Sequence, residues 1–100
     1  MKLKVLLCCG AGMSSGFLAQ RTRAAAKKRK VDIILDAKSE SMVSQFLEDI
    51  DILLIGPHLQ NYLHNYEERC NGYNVKVAVI PKDIYGTIDG EKLLDFILQM

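Results

Sequence analysis

The sequence predicts an α/β domain: a doubly wound, four-stranded parallel sheet with helices on both faces. Three observations carry this. Four short apolar runs, "LKVLLC", the slightly more polar "VDIILDA", "DILLIG" and "VKVAVI", lack strict alternation, as strands covered on both faces do. Each run is followed by residues at helical spacing, so strand and helix alternate along the chain. The 100 residues fit one domain, 1–100, and leave no room for a second.

Taken in order, the first run leads into Ser14 to Lys30, where Leu18, Thr22, Ala25 and Ala26 fall on one helical face. The second leads into Ser41 to Asp49, with Met42, Val43, Phe46 and Leu47 at helical spacing. After the third, Leu59, Tyr62, Leu63 and Tyr66 recur similarly. After the fourth, Leu93, Leu94, Ile97 and Leu98 do so, behind an Asp89 suited to the N-cap. In such a sheet the binding crevice opens beyond the carboxyl ends of the strands, where strand order reverses. The loops "CCGAGMSSG", "GPHLQN" and Pro81 to Gly86 are therefore expected along one rim.

Composition narrows the function. A formal net charge of +1 sets up no strong field for nucleic acid or an anionic membrane. The apolar stretch Leu3 to Cys9 holds Lys4 and ends in a glycine turn with no small-residue cleavage site, so it does not read as a signal peptide. No apolar run approaches the ~20 residues that span a bilayer. Cys8, Cys9 and Cys70 form an odd set without framework spacing, which suits a reducing cytoplasm. There is no Cys-x-x-Cys pair, and His58 and His64 lack metal-ligand company, so neither a metal nor a cofactor is expected.

The chemistry concentrates in the first loop. Gly10, Gly12 and Gly16 permit positive φ and close approach of a ligand to the backbone. Successive N–H groups there would form an anion-binding nest, reinforced by the dipole of the following helix. A thiol at the start of such a loop is pushed toward thiolate. Thiolate, amide cradle and helix start together are what a phosphocysteine requires. The Walker A loop is excluded, since no Gly-Lys-Ser/Thr closes the motif. The dinucleotide fingerprint fits poorly: "GAGMSSG" is off by one, and Asp32 and Asp36 are ambiguous ribose-binding acids. Strand parity separates the paired cysteines. Cys8 still lies inside the doubly covered run, whereas Cys9 ends it, so Cys9 is the candidate nucleophile.

"KVLLCCGAGMSSGFLAQ" strongly resembles the phosphorylation loop of enzyme IIB of the bacterial phosphotransferase system, lactose/cellobiose (chitobiose) type. The likeness continues in "DILLIGPHLQNYL" and "DIYGTIDG" and spans essentially the whole chain. Aligned on Ala11-Gly12-Met13-Ser14, the family's phosphorylated cysteine falls on Cys9, with Gly10, Ala11, Gly12, Met13, Ser14, Ser15 and Gly16 as the phosphoryl-binding loop. Two positions depart from the family pattern: a second cysteine, Cys8, precedes the reactive one, and His58 stands where glutamine commonly follows Gly-Pro. The resemblance implies the fold of low-molecular-weight tyrosine phosphatases. It also implies a phosphocarrier that takes its phosphoryl group from a phosphohistidine of enzyme IIA. The group would pass to a cellobiose-, lactose- or β-glucoside-type sugar held by membrane-embedded enzyme IIC. Such a carrier would be a monomer by itself, cytoplasmic, and peripherally associated with the membrane through enzyme IIC.

The rival reading is a low-molecular-weight tyrosine phosphatase or arsenate-reductase-like enzyme. Those resemble Cys-x5-Arg, yet Ser15 occupies the arginine's place here, and Asp83, two before Tyr85, lacks the acid loop's proline. Other features read mostly as structure. The basic run ending at Lys27 to Lys30 complements a helix C-terminus or, alternatively, docks enzyme IIA. Tyr62 and Tyr66 are expected in the core, and His64 and Cys70 are structural. His58 is either a solvated turn residue or a hydrogen-bond partner of the phosphoryl group. Tyr85 is either a packing residue or an interface anchor.

Overall fold

The computed structural model describes residues 3–9 and 13–100, with the side chains of all of these except positions 9 and 13–15. Four parallel strands form one sheet: β1 (Leu3–Cys9), β2 (Ile33–Ser39), β3 (Ile52–Ile55) and β4 (Lys76–Val79), in the order β2-β1-β3-β4. The register runs from Leu3 opposite Ile33 to Cys9 opposite Ser39, and on the other side Cys8 stands opposite Ile55.

Alternation along β1 and β3 splits the core in two. Val5, Leu7, Ile52 and Leu54 pack under α1 (Met13–Lys28), α3 (Lys82–Thr87) and α4 (Gly90–Leu98), through Leu18, Ala19, Ile84, Leu93 and Ile97. Leu6, Cys8, Leu53 and Ile55 face the other way, against Val43, Leu47, Leu59, Tyr66 and Cys70. Both sheet faces are thus apolar, which is why the runs show no period of two.

The expected face of α1 holds: Leu18, Thr22, Ala25 and Ala26 are all buried. Thr22 satisfies its hydroxyl by donating to the Leu18 carbonyl at 2.7 Å. Helix α1 ends in a Schellman closure, with Lys30 N–H donating to Lys27 O and Val31 N–H to Ala26 O, and Lys30 at φ 57°. Helix α4 starts as expected, Asp89 accepting from Lys92 N at 3.0 Å. Its first residue, Gly90, lies on α1 itself: a Cβ there would sit 2.4 Å from the Arg21 carbonyl carbon. Only glycine lets the two backbones approach this closely.

Several elements differ from expectation. The helix expected over Ser41 to Asp49 is a 3₁₀ segment, Glu40–Gln45, followed by turns. Ser39, Ser41 and Ser44 favour local side-chain hydrogen bonds over α-helix, and the Ser39 and Ser41 hydroxyls lie 3.1 Å apart. The third helix begins as 3₁₀ over Pro57–Tyr62 and becomes regular only as α2 (Leu63–Arg69). Pro81 to Gly86, expected as a loop, lies largely in α3, which closes through Ile88 at φ 52°. Tyr62 is not core but 53% exposed, because the 3₁₀ turn rotates it off the face that Leu59 and Tyr66 bury. Leu98 is likewise exposed at the last turn of α4.

Candidate functional site

The topology sets where a site can form. The chain leaves β1 for β2 on one side and returns across it to β3 on the other, so strand order reverses between β1 and β3. The crevice of an open α/β sheet lies at that reversal, beyond the carboxyl ends of the strands. Cys9 is the last residue of β1, flanked in register by Ser39. On the β3 side, Gly56 N–H donates to the carbonyl of Cys8 at 3.1 Å, which fixes the backbone just ahead of Cys9.

Helix α1 begins at Met13, four residues beyond the end of β1, and its first turn holds no carboxylate to offset the positive end of the dipole. The first four N–H groups of a helix have no partner within it. Gly16 belongs to this first turn and has no positive φ, unlike the expectation for the third loop glycine; any part it plays is through its N–H. Gly10, Ala11 and Gly12 lie outside the described residues, as do the side chains of Cys9, Met13, Ser14 and Ser15.

The structure brings the two rim candidates together. The His58 ring folds back over Gly56, where a Cβ would lie 2.6 Å from its Cε1. Its centroid is 5.9 Å from that of Tyr85, at a 55° tilt. Gly56 therefore makes room for the imidazole, and Tyr85, half-buried on α3, backs it. His58 is exposed, as a solvated turn residue is, and also rests against Tyr85.

Cys8 is 1% exposed, and its sulfur lies 3.6 Å from the Tyr66 hydroxyl. Burial, then this hydrogen bond, pushes the Tyr66 hydroxyl well above its ordinary range. The sequence carries little trace of this link. The two residues stand 58 apart, and the only local hint was Tyr66 on the apolar side of its helix. Cys70 is buried too, and burial pushes its thiol up, with Arg69 opposing in part. The cations of the basic run are all exposed, and its arginines also reach back to the fold. Arg23 donates to the Leu35 carbonyl at 2.7 Å, and Arg29 reaches Asp95 of α4 at 2.8 Å. His64 faces solvent on α2 and meets Glu68 of the same helix at 3.0 Å.

The family model for the lactose/cellobiose-specific IIB subunit of the PTS system matches residues 4–96. The chain belongs to this family. As a lactose/cellobiose-type IIB component, it is a phosphotransferase domain of a sugar-transport phosphotransferase system. Its IIB relatives include the galactose-specific EIIB component of Lactococcus lactis subsp. cremoris, 28% identical over 95 residues, covering 90% of this chain and 88% of that one. A lactose-specific EIICB component of Lacticaseibacillus casei is 24% identical over 98 residues; the match takes in 96% of this chain and 17% of that longer protein. Among solved IIB structures, the lactose-specific IIB domain from Streptococcus pneumoniae superposes with a TM-score of 0.89 at 19% identity, covering 99% and 97% of the two chains. That likeness is one of fold. The cellobiose-specific IIB protein from Borrelia burgdorferi gives 0.79 at 29% identity, covering 99% and 91%. Among the described residues of this IIB chain, no helix is long and apolar enough to cross a membrane.

Proposed function

We propose that residues 1–100 act as one phosphocarrier domain with Cys9 as the phosphorylated residue. The Cys9 thiolate attacks the phosphorus of a phosphohistidine on enzyme IIA; the S–P bond forms, the N–P bond breaks, and the imidazole leaves. In the second step a hydroxyl of a sugar held by enzyme IIC attacks the same phosphorus. The S–P bond breaks, the thiolate returns, and the hydroxyl proton is released. Both are in-line transfers in which positioning and electrostatics do most of the catalysis. The amides of Gly10 to Gly16 hold the phosphoryl oxygens, and the start of α1 stabilises their charge. His58, seated over Gly56 and against Tyr85, offers its imidazole to the same oxygens. The carrier works in the cytoplasm and meets the membrane through enzyme IIC.

The observation that best supports this reading is the position of Cys9. It ends β1 at the strand-order reversal, four residues ahead of a helix whose first turn carries no acid. A thiol there is drawn toward thiolate, and with Ser15 in place of a clamping arginine nothing drives hydrolysis of the adduct. The test is intact-mass analysis after incubation with phosphoenolpyruvate and the general and cognate upstream phosphotransferase proteins. A single stable phosphoryl adduct, lost in Cys9→Ser and kept in Cys8→Ser, is expected. An adduct on folded Cys9→Ser, or rapid turnover of p-nitrophenyl phosphate by the unmodified chain, refutes it.

A further inference from the structure

On the sheet face opposite α1, Glu40, Leu59, Tyr62, Asn65, Tyr66 and Arg69 line a cavity of about 460 Å³. This lies within the range of small-molecule sites, roughly 300–1,000 Å³. We propose that it binds a neutral pyranose, a sugar ring rather than an ion.

The lining argues for that class. Asn65, Tyr66 and Arg69 lie at helical spacing on α2, and Tyr62, at the end of the 3₁₀ turn before it, borders the same cavity. Tyr62 is exposed and lines the cavity, so an aromatic side chain is open to a ligand there. The C–H face of a pyranose is flat and apolar and matches such a ring. Arg69 holds its guanidinium 5.5 Å from the centroid of the Tyr66 ring, so its donors are preorganised. Glu40 brings a carboxylate from the 3₁₀ segment after β2.

Among the described residues, neither Arg69 nor Glu40 enters an ion pair, so both keep hydrogen-bonding capacity for a ligand. The pair also selects by charge. An anion drawn to Arg69 is opposed by Glu40, and a cation drawn to Glu40 is opposed by Arg69. Ring hydroxyls donate and accept at once, so they satisfy the carboxylate, the guanidinium and the Asn65 amide together. Tyr66 joins this cavity to β1, since its hydroxyl reaches the Cys8 thiol, one residue before Cys9.

The choice of probes rests on the family reading; the pocket itself does not. Cellobiose, lactose and glucose would be titrated into the unphosphorylated chain and followed by amide and Tyr-ring NMR shifts. Saturable shifts are expected at Glu40, Tyr62, Asn65, Tyr66 and Arg69 for at least one sugar. Tyr62→Ala and Arg69→Met, both at exposed positions, should each weaken binding roughly tenfold or more. Cys9→Ser should bind as the parent does. No saturable shift at these residues up to the solubility limit overturns the proposal. So does an unchanged affinity in folded Tyr62→Ala, or saturable shifts at these same residues with glycine or inorganic phosphate in place of sugar. Sugar binding without phosphoryl acceptance would sink the carrier and leave the pocket standing; the reverse result would do the opposite.

Discussion

The hydroxyl of Tyr66 lies 3.6 Å from the sulfur of Cys8, inside the core between the sheet and α2. It ties the helix after β3 to the strand that carries Cys9. Tyr66→Phe should lower stability by about 0.5–1.5 kcal/mol, the worth of one buried hydrogen bond, and leave phosphoryl acceptance intact. Cys8→Ser should cost about 1–3 kcal/mol where its shorter hydroxyl fails to reach Tyr66. Urea unfolding measures both. Loss of phosphoryl acceptance in folded Cys8→Ser would move the reactive thiol from position 9 to 8.

The buried thiol of Cys70 makes the fold sensitive to alkali. It is 4% exposed, and burial pushes it above its ordinary value of 9.0. Between the ordinary and the raised value the unfolded chain has lost a proton that the folded chain keeps. Stability from this group is therefore full below about pH 9 and falls as pH rises beyond it. Tyr66 acts in the same direction from its ordinary value of 10.0 upward. Urea midpoints recorded across this range should decline, and more gently in Cys70→Ala. In native buffer, iodoacetamide should spare Cys8 and Cys70 until the chain unfolds; equal labelling of Cys70 in both states contradicts its burial.

Two glycines should respond oppositely to alanine. At Gly90 the added methyl meets backbone atoms of Arg21 and Thr22 at 2.4–2.6 Å, and backbone cannot swing aside. Gly90→Ala should destabilise by about 1–3 kcal/mol or more, as overpacking does. At Gly16 nothing lies within 4 Å of the added methyl, and the residue is helical. Gly16→Ala should stabilise by up to about 1 kcal/mol and keep its N–H for the phosphoryl group. Thermal unfolding of the pair gives the sign directly.

Lys30 occupies the left-handed position that closes α1, at φ 57° and exposed. A side chain there costs roughly 1–2 kcal/mol that glycine avoids. Lys30→Gly should recover part of this, against the greater freedom glycine has when unfolded. A lower midpoint in Lys30→Gly would show the closure to be unstrained.

Gly56 gives His58 its seat. Gly56→Ala would place a methyl 2.6 Å from the imidazole Cε1, and the ring, being the mobile end of a side chain, must leave. The His58 ring protons should lose the ring-current shift from Tyr85, and phosphoryl acceptance should slow while the fold survives. Wild-type rates with a displaced ring would remove His58 from the phosphoryl site.

The four strands, their parallel sense and both faces of β1 follow from the sequence alone, because a strand buried on both sides shows as an uninterrupted apolar run. The Asp89 cap and the buried face of α1 follow too, since the cap is a contact within four residues and the face is written in the helical spacing of its side chains. Cys9 was legible as the candidate nucleophile through parity, the glycines after it and the family motif. Tertiary structure decided the rest. The 3₁₀ winding of Pro57 to Tyr62 left Tyr62 outward, while Leu59 and Tyr66 went under the sheet. The Cys8–Tyr66 contact, the His58–Tyr85 pair and the seat of Gly90 on α1 join residues 58, 27 and 69 positions apart. No local propensity encodes such contacts; they exist only once the strand order β2-β1-β3-β4 has brought those segments together.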